Sequence, residues 1–111
     1  MTSLIVIKPD DRANDFNATD VLKAYIRIIN AIKDRTNSTP NQVVNVYYND
    51  LKSYGSNAEE IATSLLRQCK AGDDIYVELM LTEHWKDNEI ATALRQDTRV
   101  VYVSTDWVGV R

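Results

Sequence analysis

Four short apolar runs alternate with three longer segments of helical periodicity, and this alternation constrains the fold more than any other feature of the chain. The runs are rich in β-branched residues, as strands are. They lie at 4–7, 43–48, 75–81 and 100–103. Helices are expected at 18–35, 57–70 and 87–96, from apolar residues spaced three and four apart. The order βαβαβαβ predicts a single α/β domain over residues 1–111, with a mostly parallel four-stranded sheet and helices on both faces. The alternative is a split βαβ α+β sandwich with an antiparallel edge strand.

Local signals set the expected ends of these elements. Asn17 is a candidate N-cap for the first helix, and Ser56 with Glu59 fits a capping box for the second. Gly72 stands where a left-handed residue would end that second helix. After the fourth strand, the segment 107–110 is expected to add a short edge strand.

Charge and cysteine content limit the classes of function and the compartment. Acidic residues outnumber basic ones 16 to 13, giving a net charge of -3, so nucleic-acid binding through bulk phosphate attraction is not expected. The longest apolar run, about four residues, is far below the roughly 20 that span a bilayer, so no membrane insertion is expected. Cys69 is the single cysteine and cannot form an internal disulfide. The simplest prediction is a cytoplasmic protein.

Glycine is scarce where a nucleotide-binding fold would need it. The chain has three glycines, and none lies in 8–17, the turn that follows the first strand. A dinucleotide or P-loop site needs glycine at that turn so that backbone N–H groups can approach the phosphates. No cofactor is therefore expected.

Aromatic and charged residues concentrate in the loops that should follow the strands, which is where parallel α/β sheets bind their ligands. Aromatic residues and arginine are also the types that dominate protein–protein hot spots. We therefore expect a small acidic, non-catalytic binding or regulatory module that contacts a protein partner through these loops. The candidate anchors are Arg12, Phe16, Tyr54, Trp85 and Trp107.

Two other functions are compatible with the same residues. Carboxylates at the same rim could hold Mg²⁺ in a small hydrolase or phosphotransfer enzyme, because hard cations prefer oxygen ligands. The candidate ligands are Asp10, Asp11, Asp50 and Glu83. The second alternative is an assembly subunit that pairs through a sheet edge, with the apolar segment 107–110 meeting its copy in a homodimer.

Overall fold

Four parallel strands and three α-helices alternate along the chain in the computed structural model, which describes residues 1–10, 16–82 and 89–110. A 3₁₀ helix, Tyr48–Ser53, follows the second strand. The elements, in chain order, are β1 (Thr2–Lys8), α1 (Ala18–Thr36), β2 (Gln42–Tyr47), α2 (Ala58–Arg67), β3 (Asp74–Leu81), α3 (Glu89–Arg95) and β4 (Val100–Trp107).

All the strand pairs of the sheet are parallel, and the strand order is β2-β1-β3-β4. This confirms the predicted α/β class and excludes an antiparallel edge strand in this sheet. The chain steps to one side of β1 to form β2 and to the other side to form β3. A crevice at the carboxyl ends of the strands is expected at such a reversal. The segments that leave β1 and β3 there contain the ranges 11–15 and 83–88, which are outside the described residues.

The sheet is covered on both faces, as predicted. On one face, α1 packs Ala24, Ile28 and Ile32 against Leu4 and Val6. On the opposite face, Leu65 of α2 and Leu94 of α3 pack against Ile5 and Ile7. Residues 4–7 of β1 are fully buried because β1 lies between two strands and two helical layers.

The observed helix ends confirm one predicted cap and correct another. Asn17 caps α1 and accepts hydrogen bonds from the N–H groups of Thr19 and Asp20. In α2 the cap is Asn57, which accepts from the N–H of Glu60, so the prediction of Ser56 as the cap was wrong. Asn57 takes the position because its amide oxygen reaches the first turn, whereas the hydroxyl of Ser56 donates instead to the Glu60 carboxylate.

The end of α2 and the end of the chain also differ from the sequence predictions. Helix α2 ends at Arg67, so Gly72, although it has a positive φ of 86°, belongs to the turn that leads into β3. Strand β4 continues through Trp107, because β3 supplies partners for it as far as Leu81. The polar segment 104–106 is therefore strand rather than loop.

Candidate functional site

A pocket lies at the carboxyl end of β2, between the 3₁₀ helix and the first turns of α2 and α3. Its volume is about 560 Å³, and its apolar walls are Leu51, Ile61 and Ile90. Lys52 and Asn57 add polar groups to its border. It occupies the side of a parallel sheet where α/β domains bind ligands.

The local sequence explains why this pocket forms. Leu51 is buried and holds the 3₁₀ helix against the core, which turns the chain away from the end of β2. Gly55 then lies so close to α2 that a Cβ atom there would be 2.5 Å from the Cβ of Glu60. The cap at Asn57 starts α2 directly afterwards. These contacts place the beginning of α2 beside the end of the 3₁₀ helix and leave the pocket between them.

The pocket continues into a groove between α2 and α3. The groove has a volume of about 1040 Å³ and shares Asn57, Ala58 and Glu89 with the pocket. Its apolar wall consists of small and medium side chains, Ala58, Ala62, Leu66 and Ala93. We call this groove, together with the pocket, the α2–α3 groove.

The predicted anchors occupy two separate parts of the domain. Tyr54 is half-buried at the end of the 3₁₀ helix, next to the pocket on the β2 side. Phe16 forms an antiparallel bridge with Gly109 and packs against the α1-side core, and Trp107, 44% exposed, ends β4 at the opposite edge of the sheet. Arg12 and Trp85 lie outside the described residues, so their part in a binding surface stays a prediction.

The predicted Mg²⁺ ligands are only partly within the described chain. Asp10 follows β1 and is partly buried, and Asp50 is exposed on the 3₁₀ helix. Asp11 and Glu83 lie outside the described residues. Residues 1–10, 16–82 and 89–110 contain no group of three or more histidine, cysteine, aspartate or glutamate side chains that could hold a metal ion. The Mg²⁺ site stays a prediction that a calorimetric titration with Mg²⁺ would test.

A buried glutamate beside a partly buried aspartate is a feature that sequence reasoning missed. Glu78 lies in the middle of β3 with no exposed surface, opposite Ser104 of β4 and on the face covered by α1. Neither of its carboxyl oxygens meets a hydrogen-bond donor among the described residues. Asp106, two residues beyond Ser104, binds the guanidinium of Arg27 from α1. The one available signal was a glutamate within the otherwise apolar strand Ile75–Leu81.

Burial decides the ionisation of Glu78. Loss of water around the side chain raises the pKa of Glu78 to about 9, and the neighbouring Asp106 carboxylate acts in the same direction. Ser104 and Arg27 lower that pKa, but their effects are smaller. Glu78 is therefore a neutral acid at pH 7. Its O–H can donate to the side chain of Asp106, which is itself bound to the guanidinium of Arg27.

Fold and site together define a three-layer α/β domain with a concave α2–α3 groove on one face and the buried carboxyl group of Glu78 on the other. Comparison with family models, with curated proteins and with solved structures found no match to this chain. Among the helices of the described residues, none is long and apolar enough to cross a membrane.

Proposed function

We propose that this protein is a small non-catalytic binding module that contacts a protein partner through the α2–α3 groove. The observation that carries the proposal is the continuity of the pocket at the carboxyl end of β2 with the groove between the helices. A concave surface with an apolar wall and a polar border is typical of sites that receive a partner's side chains.

The dimensions of the groove favour a helical segment of the partner. Two neighbouring helices with small side chains between them let a third helix approach closely, as in helix-in-groove recognition. Ala58, Ala62 and Ala93 supply that close approach. The pocket at the end of the groove has room for one large apolar anchor against Leu51 and Ile90.

The charge of the groove wall between α2 and α3 favours a basic segment of the partner, whereas Lys52 lies at the border of the pocket. The charged side chains on the groove wall between α2 and α3, within the described ranges, are Glu59, Glu89 and Asp97. Asp97 is bound to Arg99, whereas Glu59 is exposed on the first turn of α2 and gives this wall a negative potential. An amphipathic segment with lysine or arginine along one side would complement this surface and would be drawn to it at low ionic strength.

Photo-crosslinking from the groove tests the proposal. A photoreactive amino acid at Thr63, which is exposed on the groove wall, is irradiated in extract of the native cells. We expect an adduct of defined mass that disappears when Glu59→Lys reverses the local charge. The matched control is Asp34→Lys, the same change of charge on the exposed surface of α1, which should leave the adduct unchanged. An adduct that survives Glu59→Lys, or the absence of any adduct, would contradict the proposal.

The proposal includes a cytoplasmic location and self-association. Cys69 is buried and free, which fits a compartment where thiols stay reduced. Within the described residues no strand pairs with the outer side of β4, which supports self-association, because an unpaired strand edge is a template for a further strand. The predicted pairing segment 107–110 is less suited to it, since Val108 is buried and Gly109 is bridged to Phe16.

A further inference from the structure

Strand β4 has the properties of an edge that pairs with another strand. It is bound to β3 on one side, and no other strand of the described chain pairs with its outer side. It is eight residues long and contains no lysine, arginine, proline or glycine, the residues that commonly protect edges. Its one charged residue, Asp106, is bound to Arg27.

The direction of the backbone groups is set by the contacts at the end of the strand. The N–H of Val108 donates to the carbonyl of Leu81 on β3, at 2.7 Å. Backbone groups alternate in direction along a strand, so Ser104 and Asp106 also point their N–H and C=O groups towards β3. Val103, Thr105 and Trp107 then direct theirs outwards, where a second strand can bind them.

We propose that two copies of the chain pair antiparallel through β4, with Ser104 opposite Ser104 of the second copy, to form a continuous eight-stranded sheet. The two-fold axis stands perpendicular to the sheet, so the α1 layers of both copies lie on the same side. In this arrangement Val103 and Thr105 of the second copy exchange backbone hydrogen bonds. The inference rests on the self-association proposed above and is independent of the α2–α3 groove, which no β4 residue lines.

This register brings together the exposed apolar residues of β4. Val101 is 43% exposed and Trp107 is 44% exposed. With Ser104 at the axis, Trp107 of the second copy lies beside the part of β4 that contains Val101, and the symmetry repeats the contact. In this part β4 has one residue more than β3, because Ile75 pairs with Val100 and Tyr76 pairs with Tyr102. Contact between an exposed aromatic ring and an exposed β-branched side chain is a favourable interaction between neighbouring strands.

The same register also matches charges on the α1 side. Arg35 holds its guanidinium over the ring of Tyr102, 5.0 Å from the ring centre. Tyr102 of one copy stands opposite Asp106 of the other copy. The guanidinium of Arg35, which lies over Tyr102, is therefore beside the Asp106 carboxyl group of the other copy. A shift of one or two residues in the pairing separates both the apolar and the charged partners. Complementarity of both kinds therefore selects one register.

The other edge strand is less suited to this pairing. Strand β2 has six residues and one strongly exposed apolar side chain, Val43. On the face it shares with Val43, Asn45 is already bound by the hydroxyl of Tyr25.

A cysteine at the axis tests the register. In a Cys69→Ser background, the Ser104→Cys side chains of the two copies would face each other across a non-hydrogen-bonded pair, where Cβ atoms are close enough for a disulfide. We expect mild oxidation to produce a covalent dimer rapidly. The matched control is Val43→Cys in the same background, which places an exposed thiol on β2 and should give only slow, collisional dimers.

Sedimentation equilibrium of the wild-type chain up to about 1 mM supplies the second measurement. We expect the mass of two chains, and Val101→Lys should weaken the dimer about tenfold, because two symmetry-related apolar pairs are lost. Its circular dichroism should be unchanged, since Val101 is exposed. A monomer at every concentration would overturn both self-association and this inference. A dimer in which Val43→Cys crosslinks as fast as Ser104→Cys, or which Val101→Lys leaves unchanged, would overturn this inference alone.

Discussion

Replacing Glu78 with glutamine should stabilise the folded protein by an amount that grows with pH. The wild-type chain must keep a buried carboxyl group protonated, because Glu78 has no exposed surface and its pKa is raised from 4.5 to about 9. In the unfolded chain the same carboxyl group releases its proton near pH 4.5. Glutamine has nearly the same shape and is neutral at every pH, so it removes this requirement and can still donate a hydrogen bond to Asp106.

The sign and size come from proton linkage. Between pH 4.5 and 9 the folded wild-type chain binds more protons at Glu78 than the unfolded chain, so its free energy of unfolding decreases as the pH rises. The slope is about 1.4 kcal/mol per pH unit. The free energy of unfolding of the wild-type chain is therefore about 3 kcal/mol lower at pH 7 than at pH 4.5. It decreases by about 4 kcal/mol from pH 5 to pH 8. If the glutamine amide makes a poorer hydrogen bond than the protonated carboxyl group, the stabilisation of Glu78→Gln is smaller by about 1 kcal/mol at every pH.

Urea denaturation of both proteins, at half-unit steps from pH 5 to pH 8, measures the effect. The difference in unfolding free energy should rise steadily with pH. The matched control is Glu59→Gln, the same substitution on the exposed first turn of α2, whose carboxyl group is in water in both states. A difference between wild type and Glu78→Gln that is constant across this range would refute the reasoning, because Glu78 would then be ionised in the folded protein.

Three further substitutions or reagents test the local structure. Gly55→Ala should lower the unfolding free energy by about 1–3 kcal/mol, because the added Cβ would be 2.8 Å from the backbone nitrogen of Ile61. An unchanged midpoint of thermal unfolding would contradict this contact. Asn57→Ala should cost about 1 kcal/mol in chemical denaturation through loss of the α2 cap, whereas Asn57→Ser should retain most of the stability; equal losses would assign the cap elsewhere. Burial raises the pKa of the Cys69 thiol. An aromatic disulfide reagent should therefore react at least about tenfold more slowly with the folded chain than with the chain in denaturant. Equal rates would show that the thiol is accessible in the folded chain.

The inner strand β1 could be predicted from the sequence, but the length of the edge strand β4 could not. Residues 4–7 of β1 are consecutive β-branched and leucine residues, and each one is buried, so the local pattern and the final environment agree. In β4 the polar residues Ser104 and Asp106 favour a loop on local grounds. They are strand because β3 offers them backbone partners, which is a property of the neighbouring strand.

The candidate sites depend on residues that are distant in sequence. The prediction placed functional residues in the loops after the strands, and this stays a prediction. The pocket of the α2–α3 groove lies at the carboxyl end of β2. The proximity of the buried Glu78 to Asp106 could not be predicted, since β3 and β4 become neighbours only in the folded sheet. Nor could the separation of Tyr54 from Trp107, because it depends on β2 and β4 forming opposite edges.

The sequence by itself determined the order of the elements and the α/β class. Periodicities of two and 3.6 residues are local properties that the chain carries before it folds. The tertiary structure alone decided the strand order, and with it the exposed side of β4, the neutral state of Glu78 and the groove between α2 and α3. These features depend on which elements pack against each other. Strand pairing and burial involve residues that are distant in the sequence and become neighbours only in the folded domain.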